Sequence, residues 1–64
     1  MHSRALVGAT AEVVSRVDGR GGRVKIGGEI WSARSLDGQE VVEAGATVVV
    51  VDISGATALV VAHS

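Results

Sequence analysis

One stretch of this 64-residue chain decides its fold: Val24-Lys25-Ile26-Gly27-Gly28-Glu29-Ile30-Trp31-Ser32-Ala33-Arg34-Ser35. Within it, two runs that contain several β-branched residues flank a Gly-Gly pair. Both central residues of a type I′ turn have a positive φ, which glycine adopts without strain, so the pair predicts a tight β-hairpin.

The two-residue turn also fixes the register of the hairpin. Lys25 must lie opposite Ile30 and Val24 opposite Trp31, and directly opposed residues share one face of a sheet. On one face lie four residues that we predict to be core: Val24, Ile26, Trp31 and Ala33. The other face is predicted to be a basic surface around one exposed isoleucine and carries Arg23, Lys25, Ile30, Ser32 and Arg34.

The composition indicates one small all-β domain. The chain has 13 valines, nine glycines and no proline, and this bias toward β-branched residues and turn formers favours strands over helices. Because cysteine is absent, a disulfide framework and a thiolate zinc site are excluded. No signal peptide is recognised, and the valine run is too short to span a bilayer, so we expect a soluble polypeptide.

Alternating apolar and polar residues predict further strands on both sides of the hairpin. Residues 8–17 form the first strand, with Val13 inward, and residues 18–22 form a flexible turn. Residues 47–53 and 57–61 form the last two strands. The resulting fold is a small all-β, five-stranded OB-type β-barrel, antiparallel and partly closed, without a substantial helix.

Inward positions are harder to assign in the last two strands, because residues 48–51 are all valine. We predict that four residues complete the core: Val48, Val50, Leu59 and Val61. Val49 and Val51 are then covered by a neighbouring element or by a partner. If the barrel leaves them uncovered, Val49, Val51 and Val60 form a candidate surface for self-association.

We expect three parts along the chain. Residues 1–5 form a flexible N-terminal segment, whose Met1-His2-Ser3 is interpreted as a start residue with a cloning remnant. Residues 6–62 form the domain. Residues 63–64 form a tail that frays.

The sequence resembles the C-terminal soluble domain of the NfeD family along nearly its whole length. The most specific piece is the string Gly-Glu-x-Trp-x-Ala-x-Ser at residues 28–35, followed by the weaker Val-x-x-Gly-x-x-Val-x-Val at residues 42–50. Ala11 departs from the family pattern, which usually has a second glycine there. The resemblance implies an OB barrel attached to transmembrane helices in the full protein, on the cytoplasmic side. It also implies a partnership with membrane scaffold proteins of the stomatin and flotillin type.

No constellation of residues predicts catalysis, a cofactor or a metal site. His2 and His63 lie at opposite ends of the chain, far from the four ordered ligands that a structural zinc site needs. Lys25 lies on an exposed strand face, where a lysine stays protonated and makes a poor base. Gly19-x-Gly21 lacks the third glycine and the helix of a phosphate loop. We therefore expect a protein without enzymatic activity.

Nucleic-acid binding is the competing function. OB barrels bind single strands across strands 2 and 3, where Arg23, Lys25 and Arg34 are predicted, with Arg20 in the adjacent loop. Against it, the net charge is −1 and Trp31, the only aromatic residue, is assigned to the core. We expect any binding of single strands to be weak and tolerant of sequence.

The charge is distributed unevenly along the chain. Residues 1–34 hold six bases and three acids, a sum of +3, and residues 35–64 hold four acids and no base, a sum of −4. Either the two parts face different ways and form a dipole, or they interleave and the charges pair across strands.

The sequence thus predicts a non-enzymatic protein-interaction module. Its candidate partner-binding face is formed by Arg23, Lys25, Ile30 and Arg34, because an apolar side chain ringed by charges makes a small anchor. The alternative for the same residues is a solvated strand face, since single exposed apolar residues are common.

Overall fold

A computed structural model describes residues 3–63 of the chain, with side chains from residue 5 onward. The domain has a 3₁₀ turn at Ser3–Leu6 and five strands. These are β1 (Thr10–Ser15), β2 (Arg23–Ile26), β3 (Glu29–Ser35), β4 (Thr47–Ser54) and β5 (Thr57–Ala62). Met1, His2 and Ser64, on which the predicted flexible ends partly rest, lie outside the described residues.

The five strands close into a barrel in the order β1-β2-β3-β5-β4, with β4 paired to β1. This confirms the predicted all-β, five-stranded barrel of the OB type. Two details differ from expectation. The barrel is closed rather than partly closed, and β5 runs parallel to β3, while the other pairs are antiparallel. The reason is that residues 36–46 carry the chain across to β1 before the β4–β5 hairpin returns it beside β3.

The central hairpin has the predicted register. Lys25 pairs with Ile30, and Val24 pairs with Trp31. Gly27 has a φ of 57° and Gly28 a φ of 93°, so both turn residues occupy the region that glycine adopts without strain. The local turn alone is enough to place each hairpin residue on its face.

Two β-bulges bend the strands and allow closure. Val14 is an extra residue in β1, between Val13 and Ser15, and Val51 is an extra residue in β4, between Val50 and Asp52. Each bulge raises the local twist and interrupts the alternation of side chains. As a result Ser15, which strict alternation would place on the same face as the buried Val13, is exposed.

The barrel interior is filled mainly by valine and alanine. Its buried apolar residues are Ala11, Val13, Val17, Val24, Ile26, Ala33, Val42, Val48, Val50, Ala58 and Val60. Six of the nine predicted core residues are among them: Val13, Val24, Ile26, Ala33, Val48 and Val50. Trp31 is only half-buried and packs against this cluster from its edge.

The prediction for β5 is wrong, because its inward residues are Ala58 and Val60 rather than Leu59 and Val61. The Gly55-Ala56 turn pairs Ser54 with Thr57, which places Leu59 opposite Asp52 on the outer face. Leu59 and Val61 are half-buried there. Val60 has no exposed surface, so it cannot belong to a self-association surface.

Candidate functional site

The predicted partner-binding face lies on the outside of β2 and β3. Arg23, Lys25, Ile30 and Arg34 are all exposed, and Ile30 has 53% of its surface accessible. Lys25 lies between Ile30 on one side and Glu12 of β1 on the other. An acidic residue therefore borders this end of the face.

At the other end of the same face lies an open groove of about 520 Å³. Its lining comes from the loop before β2, from β2 and β3, and from the β4–β5 hairpin. The lining residues are Arg20, Gly21, Gly22, Arg23, Ser32, Ala33, Arg34, Ser54 and Thr57. Three of these are arginines and none is acidic.

One row of polar side chains crosses the groove from strand to strand. Arg23 of β2 pairs with Ser32 of β3, and Ser32 pairs with Thr57 of β5. Thr57 in turn pairs with Ser54 at the end of β4. Since directly opposed residues share a face, one guanidinium and three hydroxyl groups point to the same side. All four groups can donate hydrogen bonds to a ligand.

The loop before β2 brings Arg20 to the groove. The backbone N–H groups of Arg20 and Gly21 donate to Oδ1 of Asp18 over 2.9 and 3.1 Å. These two hydrogen bonds lower the pKa of Asp18, and the positive charges of Arg16 and Arg20 lower it further. The Asp18 side chain thereby holds the loop in a turn at neutral pH.

The same loop is fixed at both ends. The backbone groups of Val17 and Val42 exchange hydrogen bonds of 2.9 and 2.8 Å, and the Ser35 N–H donates to the Asp18 carbonyl over 3.0 Å. Gly22 has no room for a side chain, because a Cβ there would overlap the Arg16 carbonyl oxygen and the Val17 Cα. The loop thus packs closely on the end of the barrel.

A second, smaller cavity of about 300 Å³ lies on the far side of Arg34. Its lining residues are Gly19, Arg34, Ser35, Leu36, Asp37, Gly38 and Leu59. Asp37 shapes this edge through hydrogen bonds from the Gln39 and Glu40 N–H groups, which lower its pKa. Arg34 lines both cavities.

The structure thus separates the four predicted face residues into two groups. Arg23 and Arg34 line the groove, whereas Lys25 and Ile30 lie beyond it, toward the hairpin turn. Ser54 and Thr57 were missed as site residues, because only the parallel pairing of β5 with β3 brings Thr57 beside Ser32, with Ser54 next to Thr57. The signal that pointed to them was the OB fold itself, whose ligand face includes the β4–β5 loop.

Residues 3–63 contain no group of three or more histidine, cysteine, aspartate or glutamate residues placed to hold a metal ion. The same part of the chain has no helix of the length and hydropathy that a bilayer span requires.

Comparison with known families identifies the domain. A family model described as the NfeD-like C-terminal, partner-binding domain matches residues 3–61. The chain belongs to the NfeD family. The resemblance based on residues 28–35 and 42–50 is thereby confirmed, and the NfeD match covers most of the predicted domain of residues 6–62, whose bounds stay a prediction.

Solved structures of NfeD soluble domains are similar to this NfeD domain throughout. A soluble domain from Corynebacterium glutamicum, of a membrane protein implicated in regulation of membrane protease activity, is 46% identical with a TM-score of 0.91, covering 95% of this chain and 97% of that one. The C-terminal domain of the stomatin operon partner protein 1510-C from Pyrococcus horikoshii is 35% identical, with a TM-score of 0.83 and coverages of 95% and 92%.

A third structure is the soluble domain of the NfeD protein YuaF from Bacillus subtilis, which is 34% identical with a TM-score of 0.80. It is matched over 92% of this chain and 75% of its own. The curated proteins contain no match. All three structural relatives are soluble domains or C-terminal domains of larger proteins, and two of them are described as parts of membrane or NfeD proteins.

Proposed function

We propose that this NfeD domain is a non-enzymatic protein-interaction module of a membrane-anchored protein, and that its partner is a membrane scaffold protein of the stomatin or flotillin type. The family is described as partner-binding, and one relative is a stomatin operon partner protein. We further propose that the domain lies on the cytoplasmic side of the membrane, which stays an expectation from the resemblance.

The observation that carries this proposal is the setting of Ile30. It is 53% exposed on the outer face of the β2–β3 hairpin, directly opposite Lys25, with Arg23 and Arg34 on the same face. Covering the exposed part of an isoleucine side chain contributes about 1 kcal/mol to binding. Surrounding cations speed the encounter with an acidic partner and fix its orientation.

The proposal is tested by titrating the ¹⁵N-labelled domain with a stomatin-type scaffold domain and following the amide signals. Shifts should cluster at Lys25, Ile30 and Arg34. Ile30→Ala should weaken binding about fivefold, which corresponds to the loss of about 1 kcal/mol. Val41→Ala is the matched control, because Val41 is 51% exposed in the connection between β3 and β4.

If both variants weaken binding equally, or if neither does, the contact face is elsewhere. If neither a stomatin-type nor a flotillin-type domain shifts any signal, the proposed partner class is wrong.

Weak, sequence-tolerant binding of single-stranded nucleic acid is the second candidate. The observation that favours it is the position of Arg23 and Arg34 on the strand 2–3 face of an OB barrel, with Arg20 in the adjacent first loop. Trp31 weighs against it, because the chain's one aromatic residue packs against the core instead of forming an open stacking platform.

A further inference from the structure

We propose that the groove between the loop before β2 and the β4–β5 turn binds an extended acidic segment of the protein partner, with an apolar residue of that segment seated on Ile30. This inference deepens the proposed function and rests on it. It assigns the groove to peptide carboxylates and gives the spacing of the residues that the partner must supply.

The charges of the groove favour carboxylates. Arg20, Arg23 and Arg34 come from three different elements, and none of the lining residues is acidic. Asp18 lies beside Arg20, outside the lining, and offsets part of the charge of that arginine. A guanidinium binds a carboxylate through two parallel hydrogen bonds, which adds orientation to charge attraction. The groove is therefore suited to two or more carboxylates presented together.

Three hydroxyl groups in the same row as Arg23 supply further donors. Ser32, Thr57 and Ser54 lie side by side across three strands. Each hydroxyl can rotate to donate to a carboxylate oxygen that Arg23 or Arg34 holds. This leaves the oxygens of a bound carboxylate with partners on more than one side.

The geometry of β3 sets the spacing of the ligand. Arg34, Ser32 and Ile30 alternate along one face of the strand, and same-face residues are about 7 Å apart. An extended peptide has the same repeat. Acidic residues at positions i and i+2 reach the groove when an apolar residue at i+4 lies on Ile30.

Two observations favour a peptide over a nucleic acid. Single-strand binding draws much of its affinity from bases stacked on aromatic rings, and Trp31 is half-buried against the core. In addition, Ile30 adds an exposed apolar side chain to the face. A leucine or valine side chain of a peptide gains free energy by covering it, whereas a phosphate backbone does not.

The probe is the synthetic peptide Ser-Glu-Ser-Glu-Ser-Leu-Ser. Its reversed sequence is titrated as well, because the peptide can run parallel or antiparallel to β3. Titration into the ¹⁵N-labelled domain should shift the amides of Gly21, Ser32, Arg34 and Thr57. A peptide with glutamine in place of both glutamates should bind at least about fivefold more weakly, since two charge pairs are lost.

Variants of the domain locate the contact. Arg20→Gln and Arg34→Gln should each weaken peptide binding about two- to fivefold, the range for one exposed charge pair. Arg16→Gln is the matched control, because it removes the same charge from the same loop at an exposed residue outside the groove lining. Thr57→Val keeps the shape of the side chain and should also weaken binding.

The outcomes separate this inference from the proposed function. If the scaffold domain binds through Ile30 but neither peptide shifts the groove amides, the acidic-segment inference is wrong and the interaction module stands. If the peptide binds but no scaffold domain does, the groove binds acidic peptide segments and the proposed stomatin or flotillin partner is wrong. If Arg16→Gln weakens peptide binding as much as Arg34→Gln, attraction is non-specific and the inference fails.

A single-stranded oligothymidine that binds the groove more tightly than either peptide, and is released by moderate salt, assigns the groove to nucleic acid instead.

Discussion

At the scale of single residues, Ser35 stands out among the described side chains. It is 4% exposed at the end of β3, and its hydroxyl has no hydrogen-bond partner. A buried hydroxyl without a partner costs about 1–3 kcal/mol of desolvation. Ser35 also ends the string Gly-Glu-x-Trp-x-Ala-x-Ser, so the string includes a residue that weakens the isolated barrel.

Replacement of Ser35 by alanine should therefore stabilise the domain by about 1 kcal/mol. For a domain of this size that raises Tm by about 4–8 °C, which thermal unfolding followed by circular dichroism detects. Ser32→Ala, on the exposed face of the same strand, should change stability by less than about 0.5 kcal/mol. A loss of stability in Ser35→Ala would mean that a buried water satisfies the hydroxyl.

The ionisation of Asp18 makes the loop beside the groove sensitive to pH. Its pKa in the folded domain is lowered from the ordinary 3.8 by the N–H groups of Arg20 and Gly21. Because the folded-state pKa is the lower one, the stabilisation is fully present above the unfolded-state value and is lost as the pH falls through the lowered one. The loop that carries Arg20 should therefore loosen in acid, below the usual aspartate range.

An NMR pH titration measures this directly. The amide signals of Arg20 and Gly21 should titrate together with a midpoint below 3.8, the ordinary aspartate pKa. Asp18→Asn keeps an oxygen acceptor and should preserve the turn at neutral pH, whereas Asp18→Ala should lose it. Equal behaviour of the two variants would show that the hydrogen bonds do not hold the loop.

At the scale of elements, the β2–β3 hairpin depends on its two turn glycines. Gly27 and Gly28 have positive φ angles, and a Cβ at either position would meet nothing within 4 Å. The cost of substitution therefore lies in the backbone conformation alone. Gly28→Val should destabilise the domain by about 1–3 kcal/mol, because a β-branched residue is strained at positive φ.

Gly27→Asn is the control for that prediction. Asparagine tolerates positive φ and is favoured at the first position of a type I′ turn, so its effect should stay within about 0.5 kcal/mol. Chemical denaturation measures both variants. Similar losses in the two would mean that the turn requires glycine for a reason other than φ.

The hairpin and β5 show what sequence patterns can and cannot place. Gly27 and Gly28 set the β2–β3 register locally, so every face assignment there followed from the turn. In the β4–β5 hairpin, the bulge at Val51 interrupts the alternation within an all-valine run, and the inward side of β5 was misassigned. The predicted partner-binding face lacked Thr57 for a related reason, since Thr57 reaches Ser32 only through a long-range parallel pairing.

At the scale of the whole molecule, the basic and acidic parts of the chain are interleaved. The acidic connection of residues 36–46 packs against the loop before β2, where a Cβ on Gly19 would overlap the carbonyl of Gly38. Glu12 lies beside Lys25. The uneven charge of the sequence therefore takes the form of a local positive groove next to acidic neighbours, which suits a short acidic segment better than a long polyanion.

Closure of the barrel also governs how the chain folds. The β2–β3 hairpin joins neighbouring residues, and hairpins of this kind form in about 1–10 μs. The pairing of Thr10 with Val49, by contrast, brings together opposite parts of the chain, and folding slows as contacts become more distant in sequence. Until β4 arrives, β1 has an open edge that another chain can join. We therefore expect the β2–β3 hairpin, with Ile30 exposed on it, to form before the barrel closes around its hydrophobic interior.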